Sequence, residues 1–217
     1  MILISSLDNI KHWHAKASDE DYISKFIFEY LAFITYLMNH MPLDIDVKDK
    51  PSDRTVIQCL KRNRDLKIEY LSMISTCVNF QAAPIENEWF EAAAKNSQWL
   101  EMKPVSDELR CCWHTIATIL NKAHTQQSEI FDNQKWWNCS YPKNHKCKDG
   151  NKAIIRGEDD WVNMVEFWYS LRNNLLHGIT TPEDHEYAHL IKNAYTTLRP
   201  LVEFFLYTLD LKEYNSL

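Results

Sequence analysis

Glu166-Phe167-Trp168-Tyr169-Ser170-Leu171-Arg172-Asn173-Asn174-Leu175-Leu176-His177-Gly178 is an apolar helical run that ends in a small polar knot. Around it, Trp161, Met164, Val165, Trp168, Leu171 and Leu175 recur at steps of three and four residues. That is the period of a helix with one face against a core. Gly178 stands where a helix C-cap glycine belongs and Pro182 follows soon after, so the helix is expected to stop at or near His177. Between stripe and stop lie Arg172, Asn173, Asn174 and His177: a permanent cation, two amides and a titratable imidazole. These are side chains suited to a phosphodiester.

Composition extends the helical reading to the whole chain. The 217 residues are 45% hydrophobic and can bury a full core as one domain. Only three glycines are present among many aromatics, which argues for long helices with few tight turns. The expected fold is all-α, a bundle of about five to seven helices forming a single domain over residues 1–217, with an irregular insertion at 133–158. No apolar run reaches the roughly 18 residues that a membrane span needs, and the start lacks a signal-peptide layout. A cytoplasmic protein without a membrane partner is therefore expected, its six cysteines held as thiols. A net charge of −6 does not favour bulk attraction to nucleic acid, so RNA binding would need a local positive patch or a shared cleft.

Taken in order, residues 1–20 carry His12, Trp13 and His14, read as packing and surface residues of a short lead-in helix or arm. Residues 21–40 form a strongly apolar helix with Ile23, Phe26, Ile27, Tyr30 and Leu37 on one stripe. Glu29 reads as a charge inside it, surrounded by Phe28, Tyr30 and Phe33. If buried, it needs a partner, and Arg172 is a candidate; otherwise it lies at the helix surface. Pro42 to Pro51 reads as an acidic loop. Ser52 or Asp53 then caps a second helix through Ile57, Leu60, Leu66, Tyr70, Leu71 and Ile74. That helix carries Arg54, Lys61, Arg62, Arg64 and Lys67, and Lys61, Arg62 and Arg64 are the expected contacts to an RNA backbone. A solvated helix face is the plainer reading of such a run. Helices are also expected over 84–100, over 105–132, from Asp159 or Asp160, and after Pro182, with Pro200 kinking or restarting the last.

The 133–158 segment reads first as a family-specific insertion. Lys143, Lys146, Lys148 and Lys152 beside Trp136, Trp137 and Tyr141 make it a second nucleic-acid candidate, through base stacking and phosphate contacts. Cys139, His145 and Cys147, with Cys111, Cys112 or His114, match no standard zinc module, so neither metal nor cofactor is expected.

The string Arg172-Asn173-Asn174-Leu175-Leu176-His177 resembles the Arg-x4-6-His signature of the HEPN superfamily. The resemblance extends more loosely to Phe26–Phe33, to Asp53–Arg62 and to the closing helix. It implies an all-α fold and metal-independent RNase activity of the kind found in toxin–antitoxin and anti-phage systems. A polar residue often follows the arginine in that family, and Asn173 fits. Some HEPN toxins carry a tyrosine two residues after the motif histidine that a partner nucleotidyltransferase modifies; here Ile179 stands there, which puts that control in doubt.

The chemistry follows from the substrate. RNA carries its own nucleophile, the 2′-hydroxyl, so cleavage needs a proton acceptor, stabilisation of charge on phosphorus and a proton donor for the 5′-oxygen. Imidazole, with an ordinary pKa of about 6.5, suits both proton roles. Arg172 would hold the phosphate, Asn173 would orient His177 or donate to a phosphate oxygen, and Asn174 would contact substrate. Arg172 and His177 stand about 140° apart on an ideal helix, and one chain supplies one motif histidine. Separate acid and base histidines require a second copy, so a homodimer is expected, as the resemblance also implies. An antitoxin or other regulatory protein is a further candidate partner. The alternative function is a catalytically silent RNA-binding or dimerisation module.

Overall fold

The computed structural model describes residues 5–18, 21–41, 51–74, 106–126, 136–137, 153–157, 159–178 and 185–215. These hold seven helices and, among the described residues, no strand: α1 (Ser6–Lys16), α2 (Tyr22–His40), α3 (Asp53–Arg62), α4 (Arg64–Ile74), α5 (Ser106–Gln126), α6 (Trp161–Leu176) and α7 (His185–Asn215). The expected all-α class holds. The loop at 42–50, the helix at 84–100 and most of the 133–158 insertion lie outside the described residues. None of the described helices is long and apolar enough to cross a membrane.

Local chemistry sets the helix ends. Ser5 and Asp8 form a reciprocal capping box at α1. Asp21 caps α2 by accepting from Ile23 and Ser24 N–H at 2.8 and 3.2 Å. Ser52 caps α3 by accepting from Thr55 N–H at 3.2 Å. The single helix expected after Ser52 is instead two. Asn63 takes an extended backbone (φ −70°, ψ 105°), and its side-chain oxygen accepts from Leu66 N–H at 2.9 Å. One asparagine thus closes α3 and caps α4, the competition with the backbone that short amides offer. Asp160 precedes α6 but does not cap it through its side chain. Its carboxylate accepts from Arg156 and from Asn163 Nδ2 at 2.9–3.0 Å. Pro200 lies inside an unbroken α7, so it does not restart the helix.

The core is aromatic. Trp161, Met164, Val165, Phe167, Trp168 and Leu171 of α6 are buried, as the stripe predicts. Tyr70 packs 5.5 Å from both Trp161 and Trp168, and Trp113 of α5 lies 5.4 Å from Trp168. The polar edges of these rings are satisfied inside the core. Trp113 Nε1 donates to Tyr70 Oη at 2.9 Å, and Tyr70 donates to the Thr197 carbonyl at 2.7 Å. Trp168 Nε1 donates to Thr197 Oγ1 at 3.1 Å, and Trp161 Nε1 donates to the Leu60 carbonyl at 3.1 Å. Buried indole and phenol groups need such partners.

Trp136 and Trp137 also belong to this interior. Trp137 Nε1 donates to Asn163 Oδ1 at 2.9 Å, and the Trp137 carbonyl accepts from Ala153 N–H at 3.0 Å. The expectation that these two tryptophans stack on exposed bases is therefore corrected; they anchor the insertion to α6.

Ring contacts fix the helix directions. Phe33 meets Trp168 while Tyr30 lies under Arg172, so α2 and α6 run antiparallel. Tyr22 meets Tyr195 while Phe33 and Tyr36 meet Phe205, so α2 and α7 run parallel. The start of α2, the end of α6 and the first turns of α7 consequently share one end of the molecule. The motif sits at that end.

Candidate functional site

Gly178 adopts φ +61°, the left-handed conformation that stops α6. His177 N–H donates to the Asn173 carbonyl at 3.0 Å, and Gly178 N–H donates to the Leu175 carbonyl at 3.2 Å. This closure turns Leu176, His177 and Gly178 out to solvent. Among the described residues nothing hydrogen-bonds the His177 ring, and it is open to an incoming group.

Arg172 is held from three sides. Its Nη1 donates to Asn173 Oδ1 at 2.9 Å, its Nη2 lies 3.3 Å from Asp53 Oδ2, and its guanidinium stacks 5.3 Å from the centre of the Tyr30 ring. About a fifth of the side chain (22%) remains exposed. The structure thus makes Asn173 an orienter of Arg172, not of His177. Glu29, for which Arg172 was a candidate partner, does not meet it; the carboxylate facing Arg172 is Asp53. Tyr30 is buried with its hydroxyl unsatisfied, and burial raises its pKa well above the ordinary value despite the opposing Arg172 charge.

Glu29 is fully buried, which settles its place in the interior. One oxygen contacts His14 Nδ1 at 2.8 Å and the other has no hydrogen-bond partner among the described residues. Burial pushes this carboxyl up, against the His14 hydrogen bond. Glu166, on the face of α6 toward α3, receives Lys61 Nζ at 2.6 Å and Arg54 Nη1 at 2.7 Å. Arg54 also stacks over the Tyr169 ring at 5.0 Å. These contacts bolt α3 against the helix that carries the motif.

The other expected substrate contacts divide. Arg62 and Arg64 are exposed. Lys61 keeps only 11% of its side chain exposed and serves Glu166, so it leaves the expected phosphate track. Asn174 is fully buried and faces the interior, a second departure from expectation. The reason is common to both: a buried carboxylate and a packed helix face outrank exposure on α3 and α6. Among the described residues no cluster of three or more potential metal ligands is present, and Cys139, His145 and Cys147 lie outside them.

Sequence reading missed Asp53 and Tyr30 as the groups that hold Arg172. Asp53 stands 119 positions before it and carries no local signal. Tyr30 adjoins the flagged Glu29 and lies on the expected apolar stripe. The resulting arrangement offers a positioned, solvent-reaching guanidinium and, about one and a half helical turns on, an open imidazole. Comparison of the chain with protein-family models, curated proteins and solved structures finds no match.

Proposed function

We propose that this chain is a metal-independent endoribonuclease of HEPN type, acting on RNA at a site completed by a second copy. The observation that carries this reading is the pairing of an open His177 with an Arg172 held in place by Asp53, Asn173 and the Tyr30 ring. Arg172 binds the scissile phosphate and stabilises the charge that develops on phosphorus. One His177 takes the proton from the 2′-hydroxyl, and the partner copy's equivalent imidazole protonates the 5′-oxygen. The bond from phosphorus to the 5′-oxygen breaks as the 2′-oxygen bond forms, leaving a 2′,3′-cyclic phosphate and a 5′-hydroxyl. Exposed Leu176, 56% accessible beside His177, supplies an apolar contact for a two-fold axis there. The role as a toxin or anti-phage effector rests on the resemblance alone.

The test is cleavage of total RNA by purified protein, wild type beside His177→Ala and Arg172→Ala. The wild type is expected to yield cyclic-phosphate ends, and each variant to lose at least a hundredfold in rate. Equal products from all three would sink the assignment. One feature favours the alternative, a silent RNA-binding or dimerisation module: Arg172 already faces the Asp53 carboxylate, which a phosphate must displace. That alternative predicts RNA binding without new ends.

A further inference from the structure

With Lys61 withdrawn into the Glu166 pair, Arg62 and Arg64 remain exposed, and the α2–α7 corner offers two further cations. Tyr22 is 42% exposed, and Leu176 is the other large apolar side chain so exposed among the described residues. Its ring meets the edge of Tyr195 at 6.2 Å. Lys25 Nζ lies 5.1 Å from the Tyr22 ring centre and 5.9 Å from that of Tyr195; Lys192 Nζ lies 5.6 Å from Tyr22. Among the described residues no carboxylate pairs with either ammonium. The neighbouring acids are engaged: Asp21 caps α2 and bonds Ser24 Oγ at 2.9 Å, and Glu203 bonds Arg199 Nε at 3.0 Å. In a chain of net charge −6, two cations that no described carboxylate pairs thus sit against an exposed ring, beside the single carboxylate of Asp21.

The corner also lies at the motif's end of the molecule. Tyr22 precedes Tyr30, whose ring carries Arg172, by eight residues, about 12 Å along α2. Because α6 runs the other way, His177 lies about 7.5 Å beyond Arg172 in the same direction.

We propose that Tyr22, Lys25 and Lys192 form a subsite for an unpaired nucleotide of the RNA, upstream or downstream of the bond that His177 attacks. The base stacks on Tyr22, and the two ammonium groups swing from the ring to the flanking phosphates. The subsite makes single-stranded RNA the substrate class, and it rests on the ribonuclease reading above.

The experiment is fluorescence anisotropy of a labelled twelve-nucleotide oligouridylate, titrated with a His177→Ala parent that cannot cut it. Adding Tyr22→Ala is expected to weaken binding roughly tenfold, while Tyr22→Phe, which keeps the ring, binds like the parent. Lys25→Gln with Lys192→Gln is expected to flatten the dependence of log K on log salt by about 1.4, two phosphate contacts of a single strand. Lys11→Gln, an exposed lysine paired with Asp210 at 2.7 Å, should change nothing. All variants should melt with the parent. Parent-like affinity and salt slope in the tyrosine and lysine variants would overturn the subsite while leaving the ribonuclease reading standing. An oligouridylate that never binds the parent also overturns the subsite, while the ribonuclease reading falls only if total RNA is left uncut by the wild type. Polyglutamate competing as well as RNA would reassign the corner to an acidic peptide.

Discussion

Glu166 and Glu29 are both buried, yet their surroundings act on them with opposite sign. Burial alone would raise the Glu166 carboxyl, but the hydrogen bonds from Arg54 and Lys61 outweigh it and hold the pKa below the ordinary 4.5. A lowered carboxylate contributes stability that is present above its unfolded pKa and lost as pH falls through the folded value. Glu166→Gln is expected to cost about 3 kcal/mol at pH 7, because Lys61 is left nearly buried without its counter-charge. The deficit should shrink in urea titrations repeated toward pH 3. Glu29 runs the other way. Its pKa is raised, so its contribution is full below 4.5 and is lost as pH rises through the folded value. Glu29→Gln, which keeps an oxygen for His14, is expected to melt above wild type at pH 8 and to converge with it near pH 4. A variant that melts lower at pH 8 would mean that the His14 contact outweighs burial. Sequence alone identified Glu29 as a charge inside an apolar helix. It did not reveal His14, because the two sit on different helices whose crossing no local pattern encodes.

At the scale of the element, α6 was the most legible part of the chain. Its stripe, its end near His177 and the glycine stop are local properties, and each is found in the structure. Gly178→Ala would place a side chain at φ +61°, which costs about 1–2 kcal/mol even though nothing within 4 Å obstructs the new Cβ. The last turn should then fray, so hydrogen exchange at the His177 and Gly178 amides should quicken and RNA cleavage should fall severalfold. Unchanged exchange would show that the loop, not the glycine, sets the stop. The division at Asn63 was missed. Leu60 and Leu66 stand six positions apart, a slip in the three-and-four period that was passed over as one continuous helix. Trp136 and Trp137 misled for another reason: flanking lysines suggest a surface, whereas the indoles are drawn inward by Asn163 and the α6 core.

For the whole molecule, helical class was legible, while the directions of the helices were not. Parallel α2 and α7 depend on Tyr22 meeting Tyr195 and Phe33 meeting Phe205, pairs that no spacing rule connects. The motif's neighbours on α2 and α3 therefore emerged only with the packing. Tyr70 ties the helices together, accepting from Trp113 and donating to Thr197 within the aromatic layer. Tyr70→Phe should lower unfolding free energy by about 2 kcal/mol, since it strands the Trp113 N–H in an apolar interior. Denaturant unfolding monitored by tryptophan fluorescence checks this, and a loss below about 0.5 kcal/mol would mean that water replaces the hydroxyl. The same bond also sets a clock. Tyr70 and Thr197 stand 127 positions apart, and Phe205 comes later still. At about 5–20 residues per second, a ribosome takes roughly 6–25 s to carry the chain from one to the other. Arg172 and His177 are made late in that interval, His177 20 positions before Thr197, so the motif still precedes completion of the layer that supports it. A nascent chain long enough to contain the motif is thus still without its finished core, and activity against RNA should appear only after release of α7 from the ribosome.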